Sequence, residues 1–297
     1  MPEPGRTDLP LTEHANPRTR DLDRLAPRDL VAALQEEDRA AVDAASRARD
    51  AIARTVELAH AALAGGGRLV LVGAGTSGRL AVLEASECPP TFSTPPERVI
   101  ALMAGGEGAF VRAVEGAEDD SLAGSRAVRD ARVGPRDLVI GVTASGRTPY
   151  VLGAIAEART RGAKTALVAC SPSRAETDVT VLLETGPEAL AGSTRMKAGT
   201  ATKITLNAIT TGAMVLWGRV HGNLMVDVAP TNAKLRDRAQ RIVSEIAGVS
   251  LADAETILAK TGGEVKTAIV VSKLALSPEA ARSKLDAAGG ILRKALS

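Results

Sequence analysis

The stretch RLVLVGAGTSGRLAV, residues 68–82, indicates the fold class of this chain. It begins with a short apolar run, Leu69–Val72, turns through glycines and hydroxyl side chains, and continues with a helical pattern. The same order returns in LVIGVTASGRTPYVL, residues 138–152. Apolar runs of this length are typical of strands that are buried on both faces, as in parallel sheets. The two stretches therefore predict parallel strands that are each followed by a helix.

Short apolar runs of this kind recur through the middle of the chain and alternate with helical segments. They cover Arg68–Val72, Val99–Met103, Leu138–Thr143, Lys164–Ala169 and Val179–Leu183. This alternation predicts an α/β fold with a doubly wound parallel sheet. After Gly192, a long helix is predicted from Met196 to about Trp217.

Helical patterns flank the predicted strands on both sides. Helical periodicity begins near Leu30 and runs to Leu63, where three consecutive glycines predict a stop. Beyond Thr231 we predict no strand but a small helical region, with short helices over Leu235–Ile246, Leu251–Lys260, Val265–Leu276 and Glu279–Ala287. The first twenty or so residues, polar and rich in proline, are expected to form an N-terminal arm or tail.

The composition excludes several functional classes. The 297 residues include 37 basic and 35 acidic side chains, for a net charge of +2, and only four aromatic residues. This balance argues against a nucleic-acid partner or an acidic membrane partner, and four aromatic rings do not provide a surface for stacking bases. Two cysteines and three histidines without metal-ligand spacing argue against a metal site and a disulfide scaffold.

Neither a signal peptide nor a membrane span is predicted. The N-terminal residues carry prolines and charges where a signal peptide needs an apolar run. The longest uncharged stretch, Ile204–Gly218, is too short to span about 30 Å of hydrocarbon. We therefore expect a soluble cytoplasmic protein.

Two loops with similar sequences follow predicted strands and precede predicted helices. They are GAGTSGR, residues 73–79, and TASGRTPY, residues 143–150. In parallel sheets, ligands bind at the carboxyl ends of strands, where helix N-termini direct backbone N–H groups at anions. The alternative is a pair of ordinary turns with capping hydroxyls, for example Thr148 as the cap before Pro149. The repeated Ser-Gly-Arg favours a binding role.

A third hydroxyl-rich loop, GSTRMK at residues 192–197, precedes the long predicted helix. Arg195 or Lys197 is a candidate counter-charge for a phosphate there, and a plain capped helix start is the alternative. Three such loops without a metal motif indicate a small phosphorylated metabolite as ligand.

The first loop also matches the dinucleotide fingerprint at Gly73, Gly75 and Gly78. The acidic residue that should follow the next strand is missing, because Ala104, Gly105 and Gly106 stand after Met103. The P-loop pattern also fails, since Arg79 and Leu80 occupy the positions of its lysine and hydroxyl residue. The pattern therefore favours neither nucleotide class.

Two glutamates are candidates for acid–base chemistry. Glu87 precedes Pro89 and Pro90, which are expected to end a helix, and a helix C-terminus favours the neutral form of a carboxyl group. Glu118 lies in EGAEDD, just before another helical segment. The alternatives are a solvated surface acid for Glu87 and a capping cluster around Glu118.

Several longer motifs of the chain resemble those of a known family. LVGAGTSGRL…LEASECPPTF, AGGE…AVEGAEDD, ASGRTPYVLGA, GSTRMKAGTATK and HGNLMVDVAPTNAKLRDRA together resemble the N-acetylmuramic acid 6-phosphate etherase family. TEHANPRT…LDRL resembles the N-terminal arm of that family. The similarity extends from about Thr12 to the C-terminus.

The resemblance implies a sugar isomerase (SIS) fold, a three-layer αβα sandwich with a helical C-terminal region, usually as a homodimer. We expect an arm and helices over residues 1–56, an SIS domain over 57–220, and a region like a ubiquitin-associated domain over 221–297. The implied enzyme is a carbon–oxygen lyase that cleaves the D-lactyl ether of N-acetylmuramic acid 6-phosphate to N-acetylglucosamine 6-phosphate and D-lactate. Its implied role is recycling of cell-wall amino sugars, without a metal or organic cofactor.

The resemblance also assigns site residues. The two family carboxylates correspond to Glu87 and Glu118, with Glu118 assigned as the base and Glu87 as the acid, and the reverse assignment left open. Binding of the sugar and phosphate is assigned to Thr76, Ser77, Gly78, Ser145, Gly146, Thr148, Ser193 and Thr194.

Three other functions remain to be separated from this one. A sugar-phosphate-binding regulator related to the glucokinase regulatory protein shares the fold and binds without turnover, but such proteins carry two SIS units and are much longer. An aldose–ketose isomerase would remove the same C2 proton without needing an acid for a C3 leaving group. A nicotinamide-dependent dehydrogenase is supported by the glycine fingerprint alone.

Overall fold

The computed structural model describes residues 9–297, so the first eight residues of the predicted arm lie outside the described residues. The chain forms two compact units. The sheet unit contains the residues up to Ala85 together with Glu97–Thr210, and the helical unit contains Ser86–Pro96 and Thr211–Ser297. The division of the chain at residues 56 and 220 stays a prediction.

One parallel sheet of five strands forms the centre of the sheet unit. Its strands are β1 (Leu69–Gly73), β2 (Val99–Met103), β3 (Leu138–Thr143), β4 (Lys164–Ala169) and β5 (Val179–Leu182). Their order is β2-β1-β3-β4-β5, and Gly73 at the end of β1 pairs with Met103 on one side and Val142 on the other. The doubly wound parallel sheet is confirmed, and every strand ends within one residue of its prediction.

Helices cover both faces of this sheet. The helices between Pro27 and Leu216 are α1 (Pro27–Arg47), α2 (Arg49–Ala64), α3 (Gly75–Phe92), α4 (Gly108–Val111), α5 (Ser121–Asp130), α6 (Pro149–Thr160) and α7 (Lys197–Leu216). Every residue of β1 and β3 is buried, because side chains alternate between the two faces of a strand and both faces are packed. On one face, Val70 and Val72 belong to a core cluster with Val151 and Ile155 of α6.

The helical unit contains α8 (Ala233–Ala247), α9 (Leu251–Lys260), α10 (Val265–Leu274), α11 (Pro278–Ala287) and α12 (Leu292–Leu296). The side chains of Asn232, Ser250 and Ser277 accept backbone N–H bonds at the starts of α8, α9 and α11. Buried apolar residues such as Val243 and Ile269 form its core. The predicted helices are confirmed, and no strand follows β5 in residues 9–297.

The prediction that Pro89 and Pro90 end the helix before them is wrong. Helix α3 continues through both prolines to Phe92. Each proline lacks the N–H that would bond four residues back, but its fixed φ is compatible with helix, so the last turn persists with two bonds missing. Glu87 therefore lies more than one turn before the helix end, beyond the last turn in which the helix dipole acts on a side chain.

None of the helices in the described part of the chain is both long and apolar enough to cross a membrane.

Candidate active site

The candidate site lies where the strand order of the sheet reverses. β1 and β3 are neighbours, and the chain leaves them toward opposite edges of the sheet, to β2 and to β4. In open α/β sheets, ligands bind in the crevice outside the carboxyl ends of such a pair. The two Ser-Gly-Arg loops follow these two strands, so the structure brings both loops to this crevice.

A cavity of about 450 Å³ occupies the crevice. Its lining includes side chains from both loops, from the third hydroxyl-rich loop and from the segment around Glu118. The lining residues are Glu13, Ala74, Gly75, Thr76, Ser77, Glu118, Asp119, Ala144, Ser145, Arg147, Thr148, Pro149, Gly192 and Thr194. Five of the eight predicted binding residues thus share one cavity with one of the two predicted carboxylates.

The first loop passes directly from strand into helix. A side-chain carbon at Gly73 would lie 2.7 Å from the backbone nitrogen of Gly78, and one at Gly78 would lie 2.8 Å from the Gly73 oxygen. Gly75 starts α3 with a φ of +52°, and its Cβ position faces open space. The loop can therefore be tight because these glycines carry no side chain, and Thr76 and Ser77 reach the cavity from the first turn of α3. Gly78 itself is buried and does not line the cavity.

The second loop is held by its own hydroxyl groups. The hydroxyls of Thr143 and Thr148 are 2.8 Å apart, and the Ser145 hydroxyl accepts a bond of 3.2 Å from the Arg147 backbone N–H. Thr148 stands at the N-cap position of α6, but its side chain makes no cap bond. The predicted cap position before Pro149 is thus confirmed, but the alternative in which the hydroxyl itself caps the helix is wrong, because Thr143 engages that hydroxyl instead.

Gly146 shapes the second loop without lining the cavity. Its φ is +71°, and a Cβ would lie 2.8 Å from the Ser171 carbonyl oxygen. Only glycine adopts this conformation against a backbone oxygen without strain. Gly146 therefore allows the second loop to pass close to the Ser171 carbonyl oxygen.

The third loop contributes Gly192 and Thr194, whereas Ser193 is half-buried outside the cavity lining. Lys197 is not a counter-charge for phosphate, so that alternative is wrong. Its side chain is 1% exposed and its Nζ lies 2.5 Å from the Glu37 carboxylate. Arg195 is exposed and does not line the cavity either.

The buried carboxylate of Glu188 binds the N-terminus of α7, the helix that follows this loop. The carboxylate accepts the backbone N–H bonds of Lys197 and Ala198, at 3.1 and 2.9 Å. Burial raises the pKa of Glu188, although these bonds and the nearby Lys197 charge oppose the rise.

Glu118 is exposed, lies in a short 3-10 helix (Ala117–Asp119) and lines the cavity. The capping role that was its alternative belongs to Asp120, whose carboxylate accepts the Ala123 N–H bond of 2.8 Å at the start of α5. This bond is the largest cause of the lowered pKa of Asp120. Among residues 9–297 the Glu118 carboxylate has no hydrogen-bond or ion-pair partner, so it is available to a ligand.

Glu87 is exposed on α3 and does not line this cavity. It follows Ser77 by ten residues, which is about 15 Å along one helix. The buried acid of α3 is Glu84 instead, whose carboxylate is 3.0 Å from the Lys203 Nζ.

Three charged residues of the lining were not predicted from the sequence. Asp119 and Arg147 are adjacent in sequence to the predicted residues Glu118 and Thr148, and this adjacency could have indicated that they line the cavity. Glu13 lies in the TEHANPRT arm, for which only the family resemblance offered a signal. No group of three or more metal-ligating side chains occurs in residues 9–297.

Comparisons with known proteins bear on this site. The family model of the glucokinase regulatory protein N-terminal SIS domain matches residues 51–159. An N-acetylmuramic acid 6-phosphate etherase from Synechocystis sp. is 48% identical over 96% of this chain and 95% of its own length. One from Yersinia pestis is 51% identical over 96% of this chain and 98% of its own. A phosphoheptose isomerase structure from Francisella tularensis has a TM-score of 0.50 at 18% identity, covering 65% of this chain and 98% of the isomerase, and shows the fold alone.

Proposed function

This chain belongs to the N-acetylmuramic acid 6-phosphate etherase family, and from that premise we propose that it cleaves the D-lactyl ether of N-acetylmuramic acid 6-phosphate. The products are N-acetylglucosamine 6-phosphate and D-lactate, and the reaction class is a carbon–oxygen lyase. The observation that carries the proposal is the single cavity that both Ser-Gly-Arg loops share with Glu118.

The polar groups of the cavity fit a sugar phosphate. The Thr76 and Ser77 hydroxyls, with the backbone N–H groups of the first turn of α3, are suited to bind an anion. Ser145 and Thr148 add hydroxyls from the start of α6. A phosphate held there is remote from the bond that breaks, so its binding energy positions C2 and C3 of the sugar for reaction.

The chemistry requires one base and one acid. In the open-chain sugar the C2 proton is acidic because C2 is next to the aldehyde. Glu118 removes this proton, the C3–O bond to lactate breaks, and Glu87 protonates the departing oxygen. Water then adds to the conjugated double bond, with its hydroxyl at C3 and a proton at C2, so the net reaction consumes one water. Each carboxylate acts once as acid and once as base over the cycle.

We also propose that the protein acts as a homodimer in the cytoplasm, as its family resemblance implies. Mixing the inactive Glu87→Gln and Glu118→Gln variants tests how the two carboxylates combine. Once mixed dimers have formed, restored activity means that the two carboxylates of one site come from different copies, and no restoration means that one copy supplies both.

The test of the activity uses purified protein and N-acetylmuramic acid 6-phosphate in ¹⁸O-labelled water. We expect unlabelled D-lactate and one ¹⁸O at C3 of the sugar product. Glu118→Gln and Glu87→Gln should each lower kcat by about 10²–10⁴-fold, the usual contribution of a general acid or base. Glu57→Gln is the matched control, because that side chain is 67% exposed on α2 and should leave kcat unchanged. Label in lactate would contradict the elimination mechanism.

The alternative is a non-catalytic sugar-phosphate-binding regulator of the glucokinase regulatory protein type. The family model that matches residues 51–159 carries that name, but the etherase relatives match 96% of the chain. Tight binding of the sugar phosphate without lactate release would favour the regulator and overturn the enzyme.

A further inference from the structure

The N-terminal arm, which we define as residues 9–24, packs onto the segment before α7. The Gly192 backbone N–H donates to the Thr12 carbonyl oxygen at 3.0 Å. The Thr19 hydroxyl donates to the Ala189 carbonyl oxygen at 2.8 Å. The Thr12 side chain is fully buried, so the arm is part of the packed sheet unit at this point.

The buried carboxylate of Glu37 anchors a second part of the arm. The Glu37 carboxylate of α1 accepts bonds from Asn16 at 2.7 Å and from Arg18 at 2.6 Å. The same carboxylate pairs with Lys197, at the start of α7, at 2.5 Å. Glu37 therefore connects the arm to the helix that follows the third loop of the site.

Between these anchors, the arm presents Glu13 to the cavity. Glu13 is exposed and lines the cavity beside Gly192, whose Cβ, if it had one, would lie 2.8 Å from Glu13 Oε2. Within residues 9–297, its carboxylate has no hydrogen-bond or ion-pair partner. Its acceptor sites are therefore free for a ligand, while the backbone that carries it is fixed.

We propose that Glu13 is a substrate-binding residue that accepts hydrogen bonds from hydroxyl groups of the sugar. This inference rests on the proposed function of the cavity. An ionised carboxylate is an acceptor only and repels a phosphate or a lactyl carboxylate, so its partner must be a hydrogen-bond donor of the ligand, and hydroxyl groups are the most numerous donors of the sugar. The Thr76 and Ser77 hydroxyls, together with the N-terminus of α3, take the phosphate instead.

The hydroxyl partner is common to the substrate and the sugar product, so the role can be measured without turnover. We expect Glu13→Ala to weaken binding of N-acetylglucosamine 6-phosphate roughly 10- to 100-fold, as for loss of a hydrogen bond to a charged group. Glu13→Gln keeps the side-chain shape and one acceptor oxygen, so its dissociation constant should fall between those of the unaltered chain and Glu13→Ala. Inorganic phosphate, as a competing probe, should bind all variants equally.

Calorimetry on the full chain provides these dissociation constants. Glu36→Ala is the control, because that side chain is exposed on α1 and pairs only with Arg39 among the described residues. Hydrogen exchange of residues 9–24 checks that the arm stays in place.

Three results would overturn the role of Glu13. The first is unchanged product binding in Glu13→Ala. The second is an equal loss of phosphate and sugar-phosphate binding, which would indicate a disturbed cavity. The third is that the unaltered chain binds inorganic phosphate but neither N-acetylmuramic acid 6-phosphate nor N-acetylglucosamine 6-phosphate. That result would refute the proposed function itself. Lactate release by the unaltered chain together with unchanged binding in Glu13→Ala would refute only the role of Glu13.

Discussion

Replacing Glu37 by glutamine should destabilise the sheet unit strongly although Glu37 lies outside the cavity. The Glu37 side chain is 3% exposed, and its partner Lys197 is 1% exposed. Burial by itself raises the pKa of the Glu37 carboxyl, but hydrogen bonds from Arg18, Lys197 and Asn16 outweigh it and lower the pKa from 4.5 to about 2. The ionised carboxylate is thus strongly favoured in the native state.

The pKa difference sets the size of the effect. At 1.36 kcal/mol per pKa unit, the ionised form of Glu37 contributes about 3 kcal/mol to the free energy of unfolding. Breaking a buried pair costs about 3–5 kcal/mol by analogy with other proteins, because the remaining charge stays buried. The two values agree, so Glu37→Gln should lose roughly 3 kcal/mol at pH 7.

The sign of the pH dependence follows from the lowered pKa. This contribution is complete above about pH 4.5 and is lost as the pH falls toward 2, by about 1.4 kcal/mol per pH unit in between. Glutamine resembles the protonated acid and has no such titration. The difference between the unaltered chain and Glu37→Gln should therefore shrink steadily below pH 4.5.

Urea unfolding followed by far-ultraviolet circular dichroism at pH 7, 5, 4 and 3 measures these differences. Trp217 belongs to the helical unit, so its fluorescence reports that unit separately. The double variant Glu37→Gln/Lys197→Met leaves no uncompensated buried ammonium group and should recover about 2 kcal/mol relative to Glu37→Gln. Glu36→Gln, on the exposed side of α1, should change the free energy of unfolding by less than about 0.5 kcal/mol.

A loss below about 1 kcal/mol at pH 7 would refute this reasoning. So would an identical pH slope in Glu37→Gln and the unaltered chain, since it would mean that Glu37 is not the titrating group. Failure of the double variant to recover stability would show that Lys197 is not the charge left uncompensated.

Further predictions concern the site loops and a buried thiol. Gly146→Ala should lower the free energy of unfolding by about 2 kcal/mol or more and lower kcat/KM at least about tenfold, because a positive φ and a backbone oxygen at 2.8 Å both oppose a side chain. Gly186→Ala is the control: its φ is +70° but its Cβ position faces open space, so it measures the effect of φ alone. Thr148→Val should lose about 1 kcal/mol in chemical denaturation by removing the hydroxyl partner of Thr143, and should weaken sugar-phosphate binding in calorimetry. Cys170 is fully buried, and burial raises its pKa to about 12, so iodoacetamide at pH 8 should modify it only after unfolding, as mass spectrometry would show.

The strands could be predicted because their signal is local. A run such as Leu138–Thr143 is apolar throughout, since both of its faces are buried, and its neighbours in sequence mark where it ends. The two Ser-Gly-Arg loops could be placed together for the same reason, because the carboxyl ends of parallel strands lie at one edge of the sheet. The expectation that prolines end a helix was wrong for α3. This helix continues through Pro89 and Pro90 although each proline removes one backbone hydrogen bond.

Side-chain partnerships were harder to predict than elements. Lys197 resembled a phosphate ligand because it follows a hydroxyl-rich loop, but its charge pairs with an acid 160 positions earlier in the chain. Thr148 resembled a helix cap, but its hydroxyl bonds to Thr143. In both cases two partners competed for one polar group, and only the packed structure selects between them.

The sequence by itself determined the α/β class, the parallel strands, the hydroxyl-rich loops and the family. Each of these depends on residues that are close in sequence or on continuous sequence motifs. The tertiary structure alone decided which groups share the cavity. It brought Glu13, Glu118 and Gly192 to one lining, assigned the helix cap to Asp120, and buried Lys197 against Glu37. These outcomes depend on distances between segments far apart in the chain, which are fixed only when the burial of apolar faces packs the sheet, the arm and the helices of the sheet unit together.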